Sequence, residues 1–174
     1  MQPKGKFMSE KYIEIEMKPK AGRRVKPAHV TKYSTPLPTP EEIMISVGFS
    51  TNNKLQLIQQ IRRGVAVSSL YALADRLSIG VNEMNEIVNI SARTFTRRKR
   101  EGVLHADETE RVYRLADLMA RATEVLHSNE DAQHWLKTPK KALGGETPLK
   151  LADTELGAKE VKDLLGRIEH GVFS

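Results

Sequence analysis

The sequence predicts an all-α protein: a central helix-turn-helix, a small helical C-terminal domain after it, and a flexible basic arm before it. Three observations lead there. Hydrophobic residues make up 39% of the 174-residue chain but aromatic ones only 5%, so the core must be built from Leu, Ile, Val, Ala and Met, a mixture that helices accommodate well. From Pro40 onward apolar residues recur three and four apart, the spacing of one helical face. Between those runs stand Gly, Asn, Ser and Thr, the residues at which helices stop and start.

The net charge of +6 is unevenly spread. Residues 1–40 carry nine Lys and Arg against three Glu, whereas residues 41–174 balance at 19 against 19. That first segment also holds Pro3, Pro19, Pro27, Pro36, Pro38 and Pro40 and few large apolar side chains, so it lacks the burial that would offset the entropy of ordering. It reads as an arm that strengthens nucleic-acid association through phosphate contacts, or as a solvated linker. Tyr12–Met17 alternates apolar and polar residues in the manner of a short strand.

Residues 41–105 predict the helix-turn-helix region. Leu55, Leu57, Ile58 and Ile61 form the apolar face of a first helix, which Gly64 ends. Ser68 or Ser69 offers a cap for a second helix carrying Leu70, Leu73, Ala74 and Leu77. A third follows Gly80 through Val81, Met84, Ile87 and Val88, and Asn89-Ile90-Ser91 forms the turn into a fourth, because Asn tolerates left-handed backbone and Ser caps. On the fourth helix, at about 100° per residue, Arg93, Thr96, Arg97 and Arg100 share a face while Phe95 points the other way as the core anchor. Arg98 and Lys99 flank Phe95, and the arginines are expected to stay outside. Guanidinium groups reach phosphates and pair bidentately with guanine edges, so Arg93, Thr94, Thr96, Arg97, Arg98 and Arg100 are the expected DNA contacts.

Residues 106–174 predict a second helical unit. Asp107-Glu-Thr-Glu110 resembles a capping-box start, and the long helix behind it carries Val112, Leu115, Leu118, Met119, Ala122, Val125 and Leu126. That seam packs within its own domain or, alternatively, against a second copy. Asn129-Glu-Asp131 opens a short helix containing Ala132, Trp135 and Leu136, which Pro139 limits; Trp135 reads as a core anchor. After Gly144-Gly145, Pro148 begins another short helix. Asp153 or Thr154 caps the last one, whose apolar face is Val161, Leu164, Leu165 and Ile168 and whose end is Gly171.

Several classes are disfavoured. The chain has no cysteine, which removes disulfides and thiolate metal sites and suits a reducing cytoplasm. No apolar run approaches the roughly 18 residues of a membrane span, and Met1-Gln-Pro-Lys-Gly-Lys6 lacks the apolar stretch of a signal peptide. His29, His105, His127, His134 and His170 make no HExxH, and Glu130 with His134 lacks a third nearby ligand. Gly144-Gly145 is not followed by the Lys-Ser/Thr of a phosphate loop, and no nucleophile elbow is present. Neither catalysis nor a cofactor or metal is expected.

From about Leu55 to Ser174 an ordered set of motifs resembles the Xre/MbcA/ParS family of type II antitoxins, above all the Xre antitoxins paired with RES toxins. They are Ile61-Arg-Arg-Gly64, Ser91-Ala-Arg-Thr94 with Arg97-Arg98, Ala132 with Trp135-Leu136 and Pro139, Leu143-Gly-Gly145 with Thr147-Pro148-Leu149, Asp153-Thr154, Gly157, and Leu165 to Phe173. Val103 and His105 depart from the pattern, which often carries a second basic residue there. The resemblance implies a two-part protein. Its helix-turn-helix would bind the promoter of its own operon and repress it, and the second-copy reading of the long-helix seam would suit a homodimer on a two-fold operator. Its C-terminal domain would hold a cognate RES toxin, an NAD-consuming protein similar to ADP-ribosyltransferases, and block the toxin's site with Arg167, Glu169, His170, Gly171, Val172, Phe173 and Ser174. Two rivals remain: a stand-alone repressor whose C-terminal domain dimerises or senses a ligand, and a partition-type or pole-localising adaptor.

Overall fold

The computed structural model describes residues 36–50 and 53–171, and every described element is helical or a turn. The basic arm before Pro36, the strand expected at residues 12–17 and the last residues Val172, Phe173 and Ser174 lie outside the described residues.

The described chain opens with α1 (Pro40–Ser46), whose start is written in Thr39-Pro40-Glu41-Glu42. The Thr39 hydroxyl accepts from the Glu42 N–H at 3.2 Å while Glu42 accepts from the Thr39 N–H at 2.7 Å, with Pro40 at the first helical position. Sequence reasoning had placed its first helical face at Leu55 and passed over α1. Beyond it, the Phe49 ring stands edge-on to Tyr113 at 5.4 Å.

α2 (Lys54–Arg63) places Leu57 and Ile61 against the core but leaves Leu55 and Ile58 exposed, so none of its residues is fully buried. It ends at Gly64, where φ is +87° and an added Cβ would stand 2.0 Å from the Leu104 carbonyl oxygen. Only glycine fits that approach. Directly after it, the Leu104 N–H donates to Val65 O at 2.8 Å and the Val67 N–H to Gly102 O at 3.1 Å, a short antiparallel pairing of two loops.

This pairing corrects the cap expected at Ser68 or Ser69. α3 (Ser68–Leu77) begins with Val67 in the cap position and no side-chain cap bond, because the entering backbone is already oriented by its bond to Gly102. α4 (Val81–Ile87) and α5 (Ala92–Glu101) follow, separated by Asn89 in left-handed backbone and Ser91, whose hydroxyl accepts from the Thr94 N–H at 3.2 Å. The expected turn between them is present.

α6 (Ala106–Leu126) is about 31 Å long at 1.5 Å per residue. Val112, Leu115, Leu118, Met119, Ala122 and Val125 are all buried, packed against α1, α2 and α3 along part of the helix and against α7 (Asn129–Lys137) and α9 (Glu155–Glu169) along the rest. The seam is therefore filled within one chain, and any homodimer must use another surface. α7 is capped by Ser128, which accepts from the Asp131 N–H at 3.1 Å, and not by Asn129. His127, in left-handed backbone, ends α6 and leaves Ser128 as the extended residue before the next helix.

Trp135 is only half-buried, with the Lys140 ammonium 5.3 Å from its ring centre, while Leu136 is completely enclosed. The expected core anchor therefore sits at the margin. A 3₁₀ turn (Lys141–Leu143) and α8 (Pro148–Leu151) lead to α9, capped by Thr154 accepting from the Gly157 N–H at 3.1 Å. Gly157 lies so close to α8 that a Cβ would stand 1.8 Å from the Leu151 carbonyl oxygen. On α9, Val161 and Leu165 are buried and Leu164 and Ile168 half-buried against the shared core.

Candidate functional site

Two surfaces carry exposed, chemically pointed side chains: α5 and the C-terminal turn of α9. Phe95 holds α5 from below, buried against the core, with the Tyr71 ring tilted beside it at 5.9 Å. Lys99 lies over the other part of that ring, its ammonium 5.2 Å from the centre. Anchoring Phe95 turns Arg93, Thr96, Arg97 and Arg100 outward, and all four are exposed. Arg93 and Arg100 have no ion-pair partner among the described residues, and Arg97 meets Glu101 only at 3.7 Å with its side chain 54% exposed.

Two of the expected contacts sit differently. Thr94 is half-buried, its hydroxyl accepting from Ser91 Oγ at 3.0 Å. Arg98 is 3% exposed, which overturns the expectation that every arginine of this helix lies outside. Its Nε donates to Glu108 at 2.6 Å and its Nη1 to Glu101 at 2.7 Å. The Glu108 hydrogen bond, then that of Glu101, holds the guanidinium more firmly protonated than usual against the opposing effect of burial. Arg98 in turn keeps the Glu101 carboxyl below its ordinary range.

Sequence reasoning missed Glu108 and Tyr71 as partners of this helix. The helical wheel places Arg98 on the flank of Phe95, and only the approach of α6 closes that flank. The capping box expected at Asp107–Glu110 forms two residues earlier, between His105 and Glu108: Glu108 accepts from the His105 N–H at 2.8 Å, which directs its carboxylate back toward α5.

α9 and the residues leading into it are held to α6 by polar contacts along their length. Arg121 donates to Glu169, Lys162 to Asp117, and Arg114 to the Asp153 carbonyl at 2.9 Å. Glu169 is thus engaged within the chain. Arg167 and His170 are exposed on the same last turns; Arg167 has no partner among the described residues, and His170 faces only Glu169 at 3.9 Å. Gly171, with φ +65°, turns the backbone away from the helix. An open cleft of about 1030 Å³ runs between α2, α6 and α9, with Ile58, Ile61, Tyr113 and Leu156 among its lining. Among the described residues no helix is long and apolar enough to cross a membrane.

Comparison with known proteins fits both surfaces. Residues 56–117, which include α5, match the antitoxin Xre-like helix-turn-helix domain. Residues 121–171, which include α9, match the antitoxin Xre/MbcA/ParS C-terminal toxin-binding domain. An Antitoxin Xre of Photorhabdus laumondii subsp. laumondii is 33% identical over 131 residues, 74% of this chain and 88% of its own. An Antitoxin Xre of Yersinia enterocolitica is 33% identical over 144 residues, 82% and 97% of the two chains. A Prs ADP-ribosylating antitoxin of a Sphingobium species is 27% identical over 124 residues, 66% and 78%. With a helix-turn-helix domain and a toxin-binding domain in sequence, and relatives named as antitoxins, the chain belongs to the Xre/MbcA/ParS family of antitoxins.

Proposed function

We propose that this antitoxin neutralises an NAD-consuming RES toxin by laying the end of α9 and the residues after it over the toxin's dinucleotide site. The observation that carries the reading is the state of that end. Arg167 and His170 stand exposed at the end of a helix that Glu169 and Lys162 tie to α6, so the last turn is held in place and presents Arg167 without a partner among the described residues. Preorganised presentation of this kind lowers the entropic cost of filling a pocket. Glu169 acts in this reading as a brace through Arg121, while Arg167 meets polar groups of the toxin site and Val172, Phe173 and the terminal Ser174 fill the rest. The name of one relative contains the words ADP-ribosylating, a chemistry that draws on NAD, which supports the NAD-using part of this reading.

The other face represses the operon. Arg93, Thr96, Arg97 and Arg100 present three cations and a hydroxyl on one side of α5, the arrangement a helix uses in the major groove. A dimer on a two-fold operator completes this reading. With the α6 seam filled, exposed Leu55, Ile58 and Leu156 offer the apolar surface for it.

Co-expression with the product of the neighbouring reading frame tests the proposal. The complex should purify intact and leave NAD unconsumed, and Arg167→Glu should restore NAD loss without unfolding the antitoxin. A complex that forms yet still consumes NAD would refute occlusion. Failure of any partner to co-purify, with operator binding intact, would instead indicate a stand-alone repressor.

A further inference from the structure

Arg98 is chemically like its neighbours on α5 and structurally unlike them. It is sealed between Glu101 and Glu108, and Glu108 is itself only 3% exposed. The Glu108 oxygen that receives Arg98 Nε also accepts the His105 N–H, so one carboxylate both caps α6 and grips α5. A buried ion pair adds little stability over well-packed apolar residues of the same volume. What it adds is direction, because the planar guanidinium fork accepts a carboxylate in few orientations. Phe95, three residues earlier, buries an apolar ring that holds the helix to the core but makes no directional hydrogen bond. The Val67–Gly102 bond ties down only the end of the segment.

We propose that the Arg98–Glu108 pair is a positioning device for sequence reading: it sets the rotation of α5 so that Arg93, Arg97 and Arg100 meet the DNA in register, while Arg98 touches no nucleic acid. The inference rests on the reading of α5 as the DNA-contacting helix.

The informative variant is Arg98→Met with Glu108→Leu, which keeps the site filled and leaves no buried charge unpaired. The double variant should fold, as judged by circular dichroism. Its affinity for the DNA upstream of its own reading frame should fall about tenfold, the order of one misread base pair. Binding to random-sequence duplex should keep its affinity and its salt dependence. A salt slope on random duplex reduced by about 0.9 would make Arg98 a phosphate contact and overturn the proposal, as would undiminished preference for the upstream DNA.

Hydrogen exchange supplies an arm independent of DNA. Amides of residues 94–102 should exchange faster in the double variant while those of α9, and of α6 beyond the first turn that Glu108 caps, stay protected; equal protection throughout would overturn the proposal. If the parent protein shows no preference for its upstream DNA, the reading of α5 fails, and the exchange arm still decides whether the pair fixes the helix.

Discussion

Gly64 and Leu136 show how single residues set the frame on which both surfaces stand. At Gly64 a side chain meets a backbone carbonyl 2.0 Å away, in a conformation L residues rarely adopt. Gly64→Ala should therefore cost at least about 1–3 kcal/mol from the backbone alone, read as a lower denaturation midpoint at unchanged slope. Leu136 is fully enclosed and Trp135 is not, so Leu136→Ala should lose about 2–5 kcal/mol, and Trp135→Ala less than the roughly 3–5 kcal/mol of a buried Trp. A larger loss at Trp135 than at Leu136 would contradict the packing. The sequence could mark Gly64 as a stop signal, since its position between two apolar faces is local information. It could not rank Trp135 below Leu136, because both sit on one short helix and the surfaces that cover them come from elsewhere.

Among the elements, α5 combines outward cations with one inward cation, and these should respond differently to salt. Arg97→Ala should weaken binding to any duplex and lower the salt slope by about 1, measured by titration at several salt concentrations; an unchanged slope would remove Arg97 from the contact set. Acidification addresses the α5–α6 junction. Arg98 holds Glu101 below the ordinary 4.5. At Asp107 burial is the largest single influence and pushes upward, but the Arg111 hydrogen bond, the Arg111 charge and the backbone N–H groups of Asp107 and Glu108 together outweigh it and leave the carboxyl below its ordinary value. Carboxyls depressed in the folded state contribute stability that is present above their unfolded values and lost as pH falls through the folded ones. The denaturation midpoint should hold from neutral pH to about 5 and decline below about 4.5. Helix existence was readable for most of the chain from the three-four spacing, and α1 was equally readable from Thr39 and Glu42. Helix starts at Ser68 and Asn129 were not, since the first is decided by pairing with Gly102 and the second by where His127 ends α6.

For the whole molecule, α6 is the common support: the face that buries Phe95's surroundings and the face that carries α9 belong to one helix and one hydrophobic cluster. Removal of Gly171–Ser174 tests what the C-terminus contributes beyond that support. Every buried contact of α9 among the described residues lies at or before Ile168, and the last ion pairs are those of Glu169 with Arg121 and with His170, which a chain ending at His170 keeps. A chain ending at His170 should therefore keep its melting temperature within about 2 °C, a shift corresponding to no more than about 1 kcal/mol for a domain of this size, and should bind operator DNA as before. It should still bind the toxin through the remaining surface but no longer stop NAD loss. A large drop in melting temperature would mean that Val172 and Phe173 fold back onto their own domain. Retained inhibition at unchanged stability would mean that the toxin site is closed by another part of the surface, with the exposed edge of the α2–α6–α9 cleft the next place to mutate.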